Sequence, residues 1–187
     1  MVEGADSTPS GATDGNVARA DSDKGVDQEI HKWETAVREY ADLVDKMPTA
    51  DVESQFLLGQ ALFELGYRRG DTTMLRQAVA LLQKDQSELS VRSLASLLTA
   101  RAFTALGWYS LAISCFRGLV ASVDGKYDGF KSRQEAVNRL LEALYFLAEA
   151  CRLSGNRDGE MEAFAALLKV DIPHRDAAER YTRLMAS

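Results

Sequence analysis

The chain has 187 residues, 28 of them acidic and 22 basic, for a net charge of −6 and a pI near 5.0. A surplus of acid argues against a nucleic-acid binder, which needs a concentrated basic face. An apolar fraction of 46% with 27% charged residues is that of a soluble globular domain. No apolar run approaches the ~18 residues of a membrane span, and the start of the chain lacks the apolar core of a secretion signal. These readings predict a cytoplasmic protein with no nucleic-acid partner and no direct membrane insertion. The two cysteines, Cys115 and Cys151, fall within helical patterns and read as buried free thiols of a reducing compartment.

Residues 1–25 contain no aromatic residue and are rich in Gly, Ser, Asp and Thr, which predicts a disordered tail. Residues 26–187 read as one helical domain. From Val26 to Met47 an apolar stripe recurs at Ile30, Trp33, Val37, Tyr40, Val44 and Met47, with charged residues around it. That is an amphipathic helix for the end of a stack. Pro48 breaks it, and Thr49 or Asp51 can cap the next helix.

A helix is predicted from Val52 to Leu65, then a turn through Gly66 and Tyr67-Arg-Arg-Gly-Asp71, then a second helix from Thr73 to Gln86. Gly59 inside the first of these weakens the helix intrinsically, so close packing is its expected reason. The triplet Arg69-Gly70-Asp71 matches an integrin-binding signal, but such triplets arise readily by chance.

The clearest stretch is Ser93 to Asp124. Leu94, Leu97, Leu98, Phe103 and Leu106 form one stripe, Gly107 ends the helix, and Ala112, Ile113, Phe116, Leu119 and Val120 form the next stripe. Two helices joined this tightly lie antiparallel. A third pair is predicted at Lys131–Leu153 and Asp158–Val170, with a turn at Gly155, followed by a short helix from Asp176 to Met185.

Small and aromatic residues recur at fixed places in these pairs: Ala100, Phe103 and Ala112-x3-Phe116; Leu58-Gly59 with Leu62; Leu147-Ala148 with Cys151. This pattern resembles the tetratricopeptide repeat over residues 34–173. Gln55 and Leu62 depart from its aromatic places, and the turn glycines Gly66, Gly107 and Gly155 are farther apart than the family's ~34 residues. The resemblance implies an all-α fold, a right-handed superhelical stack of about three antiparallel helix hairpins plus end helices, a TPR-like α-solenoid.

It also implies a concave groove lined by the first helix of each hairpin. The corresponding places are Glu53, Phe56, Gln60 and Phe63 in the first hairpin, Leu94, Leu97, Arg101 and Thr104 in the second, and Glu142, Tyr145, Glu149 and Arg152 in the third. Family members that clamp a terminal carboxylate use Lys and Asn at such places; here Phe56 and Gln60 stand at two of them.

No catalytic grouping is legible. His31 and His174 are far apart and read as surface residues, and no metal-ligand spacing or nucleophile elbow occurs. Glu142 and Glu149 lack the Glu-x-x-His partners of a di-iron bundle. The sequence therefore predicts no cofactor, no metal and no enzyme activity. The expected role is an adaptor holding a peptide or helix of a partner protein. Alternatives are a scaffold that dimerises through the 26–47 helix, and a chaperone or regulatory subunit of a secretion or membrane complex.

Overall fold

The computed structural model describes residues 14–46, 52–84, 89–123, 129–171 and 173–186, with side chains described from residue 25 onward except at 89 and 90. The Met47, Pro48, Thr49, Asp51 and Gln86 expectations, and those for residues 1–13, lie outside these ranges. Among the described residues there are eight helices and no strand: α1 (Asp14–Lys46), α2 (Val52–Arg69), α3 (Thr72–Leu82), α4 (Leu89–Ala105), α5 (Tyr109–Val123), α6 (Arg133–Leu153), α7 (Arg157–Val170) and α8 (Ala177–Ala186). The protein is all-helical. Helix α1 starts inside the stretch read as a tail, where Ala18, Arg19 and Ala20 are good helix formers.

Three connections share one set of backbone bonds. At the end of α4, Gly107 N–H donates to Thr104 O at 3.1 Å and Trp108 N–H to Phe103 O at 2.8 Å. At the end of α6, Gly155 donates to Arg152 O at 3.1 Å and Asn156 to Cys151 O at 2.8 Å. At the end of α2, Gly70 donates to Tyr67 O at 3.4 Å and Asp71 to Gly66 O at 2.9 Å. These are Schellman ends, and the glycine of each has positive φ, between 64° and 76°.

The residue after that glycine then serves the next helix. Asp71 accepts from Thr73 N and Met74 N to cap α3, and Asn156 accepts from Gly159 N to cap α7. Trp108 instead packs its ring 5.7 Å from that of Phe103, the apolar contact that accompanies this kind of helix end.

Gly66 was expected to end α2, but the helix runs on to Arg69 and the turn glycine is Gly70. Gly66 has a different reason to be small. A Cβ there would meet Met74 Cβ at 2.9 Å and the backbone of Asp71 and Leu75 at 3.2 Å. Gly59 does what its position in a helix suggested: a Cβ would meet Leu82 Cγ at 3.0 Å and Leu81 Cβ at 3.1 Å, so α2 and α3 approach closely there.

The core follows the predicted stripes. Phe63, Phe116 and Phe164, one from each helix pair, are fully buried, and Ala61, Ala78, Ala100, Ala112, Ala143, Ala148 and Ala150 are buried where backbones come close. Each helix touches the next in sequence from α1·α2, α2·α3 and α3·α4 through to α7·α8, and α2 touches α4 as α4 touches α6. The helices α2, α4 and α6 therefore share one side of the molecule.

At one end, α1 lies on α2 with Val37, Tyr40, Ala41 and Val44 against the core. Arg68 lies 5.8 Å from the Trp33 ring and bonds Glu29 at 3.3 Å, while Arg69 pairs with Glu34. All three residues of the Arg69-Gly70-Asp71 triplet thus have local structural partners: an ion pair, a helix end and a helix cap. At the other end, Arg157 donates to Leu184 O at 2.6 Å and ties α8 to the start of α7.

Candidate functional site

The shared side of α2, α4 and α6 carries a run of aromatic rings interleaved with guanidinium groups. Phe63 and Tyr67 are four residues apart on α2, hence on one face, and their rings stack at 5.7 Å. Arg101 rises from α4 between this pair and α6. Its guanidinium lies 4.9 Å from the Phe63 ring, 5.5 Å from Tyr67 and 4.5 Å from Phe146. Each such contact is worth roughly 0.5–2 kcal/mol, more where water is excluded. Burial pushes Arg101 below the ordinary arginine value, while Glu64, Tyr67 and Glu142 pull it the other way. A guanidinium remains charged at neutral pH under such a push.

Beyond Arg101 the run continues through the segment that leads into α8. Arg175 lies 4.5 Å from the Tyr145 ring and 5.2 Å from Phe146. Tyr145 Oη donates to Asp176 Oδ1 at 2.9 Å, and His174 meets the same ring edge-on at 6.1 Å. His174 is therefore largely covered, with a side chain only 18% exposed, rather than on the surface as expected. The sequence could not anticipate this, because the cover comes from a ring on another helix.

Arg180 of α8 lies 4.8 Å from the Phe164 ring and bonds Glu149 at 2.8 Å and Glu160 at 3.3 Å. Glu149 also accepts from Arg152 at 2.5 Å. The hydrogen bond from Arg152 and then that from Arg180 hold the Glu149 carboxyl below the usual carboxylate range, against the opposing effect of burial.

The twelve residues carried over from the repeat pattern divide into groups. Phe56, Phe63 and Leu97 are 6%, 0% and 2% exposed. They are core side chains and offer a ligand no more than a ring or chain edge, which corrects their assignment to the groove lining; a helix flanked on both sides has less free face than the pattern assumes. Arg101, Glu142, Tyr145 and Glu149 are half-buried on the shared side, and Arg152 is exposed beside Glu149. Gln60, Leu94 and Thr104 are half-buried and Glu53 is exposed. Thr104 Oγ1 donates to Ala100 O at 3.0 Å, a bond along its own helix. Glu142 is engaged by Arg139 at 3.4 Å.

Tyr67, Phe146, Arg175, Asp176 and Arg180 belong to the same run and were not anticipated. Tyr67 could have been found, one helical turn after Phe63. Phe146 is adjacent to Tyr145 and could have been read with it. Arg175, Asp176 and Arg180 follow only from how the last segment folds back on α6.

A second concavity, of ≈ 480 Å³, lies among the end of α3, α4 and α5 and is lined by Ser93, Ser96, Thr99, Cys115 and Ser122 among others. Cys115 is its one thiol, and burial pushes that thiol up, away from the reactive thiolate. Cys151, the other free cysteine, is buried and shifted the same way for the same reason. Among the described residues no three His, Cys, Asp or Glu side chains are grouped to hold a metal ion. Nor is any described helix long and apolar enough to cross a membrane.

No protein-family model matches the chain, and no curated protein matches it.

Proposed function

We propose that this protein is a non-enzymatic interaction module: a TPR-like right-handed stack of three helix hairpins that holds a peptide or helix of a partner protein along the side formed by α2, α4 and α6. The observation that carries the reading is Arg101 set among Phe63, Tyr67 and Phe146, contributed by two other helices. Aromatic and arginine side chains are the types that most often dominate protein-binding energy, and a cation held against rings has little rotamer freedom left to lose on binding. The neighbour relations of the helices, each against the next and first helices against one another, are those a stack of hairpins would have.

The test is selection from a displayed library of random dodecapeptides on the full-length protein, followed by anisotropy measurements with the selected peptides. Replacing Tyr67 and Phe146 together by Ala is expected to weaken their binding at least about tenfold, a hot-spot loss of ~1.4 kcal/mol or more, with helicity by circular dichroism unchanged. Peptides that bind the double variant as well as the parent would remove this face from consideration.

Self-association is a second reading, supported by one feature of the end helix. Leu43 and Val26 of α1, outside its apolar stripe, are 46% and 51% exposed, so α1 keeps uncovered apolar surface. A second copy would cover it.

A further inference from the structure

The arginines along the run differ in how their charge is balanced. Arg68 pairs with Glu64 and Glu29, Arg139 with Glu142, Arg152 with Glu149, and Arg180 with Glu149 and Glu160. Arg101 and Arg175 make no ion pair among the described residues. Yet both converge on one ring, at 4.5 Å and 5.2 Å from Phe146. The carboxylates around them are committed elsewhere: Glu64 to Arg68, Glu142 to Arg139, and Asp176 to the Tyr145 hydroxyl. In a chain with 28 acidic and 22 basic residues, carboxylate partners are not scarce.

Arg175 carries a second mark. It is a non-glycine residue at φ 51°, a left-handed conformation that costs an L-residue roughly 1 kcal/mol or more. From that backbone its guanidinium reaches the Tyr145 and Phe146 rings, the second of which Arg101 also meets.

We infer that Arg101 and Arg175 together form an acid-recognition point: they receive the carboxylate of a Glu or Asp in an extended acidic segment of a partner protein, while a neighbouring apolar side chain of that segment lies on Tyr67 and Phe146. The inference rests on the peptide-binding reading above and names the chemistry of the peptide. Two guanidinium groups present more donors than either ring can use, in a fork geometry that suits carboxylate oxygens. Aromatic floor and partial burial lower the local screening, so a carboxylate there counts for more than one on an open surface. Mutual repulsion of the two cations is relieved when the anion arrives.

The dodecapeptide selection on the full-length protein reads this directly. Expected is enrichment of Glu or Asp next to an aliphatic or aromatic residue, and an approximately tenfold loss of affinity when that acid is changed to its amide. Arg175→Gln, at an exposed position, is expected to erase the preference for acid over amide while leaving the thermal midpoint within a degree or two. Arg101→Lys is expected to reduce the preference without abolishing it, since charge is kept and the fork is lost. Selected peptides without acid enrichment, or a preference that survives Arg175→Gln, would overturn the acid site and leave the peptide face standing. Recovery of no peptide at all would overturn both. Tighter binding by tenfold or more when the acid is replaced by phosphoserine would also overturn it, in favour of a phosphorylated segment.

Discussion

A methyl group at Gly66 would meet the carbonyl of Asp71 and the amide of Leu75, both backbone atoms at 3.2 Å, as well as Met74 Cβ at 2.9 Å. Backbone cannot rotate away as a long side chain can. Gly66→Ala should therefore destabilise the protein by about 1–2 kcal/mol, overpacking outweighing the ~1 kcal/mol gain in helix propensity. The thermal midpoint reports this, and no change there would contradict the close approach of α2 and α3. Glu149 offers a test by pH. Its folded carboxyl is held below the ordinary range by Arg152 and Arg180. The stability it contributes is therefore complete above the unfolded value of about 4.3, and is lost as pH falls through the lower folded value. Glu149→Gln should cost about 1 kcal/mol at pH 7, with a gap to the parent that narrows as pH falls below the unfolded value and closes only below the lower folded one. Melts across that range check the sign; a constant gap would mean that lost packing, not lost charge, is responsible.

Helix ends govern the elements. Gly107 sits at φ 75° with nothing near enough to obstruct a Cβ, so Gly107→Ala isolates backbone strain from crowding. It should destabilise by about 1 kcal/mol. Asp71→Ala removes a cap that accepts from Thr73 N at 2.8 Å and Met74 N at 3.1 Å, and should cost a similar amount. The two sites belong to separate turns, so the double variant should show the sum, measurable in urea melts. Here the sequence was easy to read in part. Gly107 and Gly155 announced their turns because a glycine after an apolar stripe has few other reasons to be there. Gly66 misled for the same cause: two glycines lie near the end of α2, and only the approach of α3 tells which one ends it. Ser132 with Glu135 was a start signal in plain view, with Ser132 accepting from Glu135 N at 3.1 Å and Glu135 accepting from Lys131 N at 2.9 Å. Among the residues carried over from the repeat pattern, Arg101 and Tyr145 lie half-buried in the run of rings and guanidinium groups. Phe56 and Leu97 are core instead, which the sequence did not reveal, because helical spacing cannot distinguish a face toward solvent from a face toward the next helix.

For the whole molecule, charge and shape point in the same direction. An acidic chain sets Arg101, Arg175 and Arg180 against the rings of Phe146, Tyr145 and Phe164, while its end helix leaves Leu43 and Val26 exposed. If α1 pairs with a second copy, Leu43→Glu should convert a dimer to a monomer in light scattering while leaving helicity unchanged. A protein that is monomeric to begin with would confine the interaction surface to the α2, α4 and α6 side. The three Schellman turns carry a further consequence, for how such a chain can grow. At 70–71 and 155–156 one residue closes a helix and its neighbour opens the next. A spacer inserted there would separate two roles that adjacent residues fulfil, and would pull the hairpin apart. Elsewhere the two roles stand farther apart in the sequence: Gln83 closes α3 while α4 opens at Leu89, and α5 ends at Val123 while Ser132 caps α6. Length variation, natural or engineered, should therefore be refused at 70–71 and 155–156 and accommodated between α3 and α4 and between α5 and α6, so that fusions and epitope tags belong there.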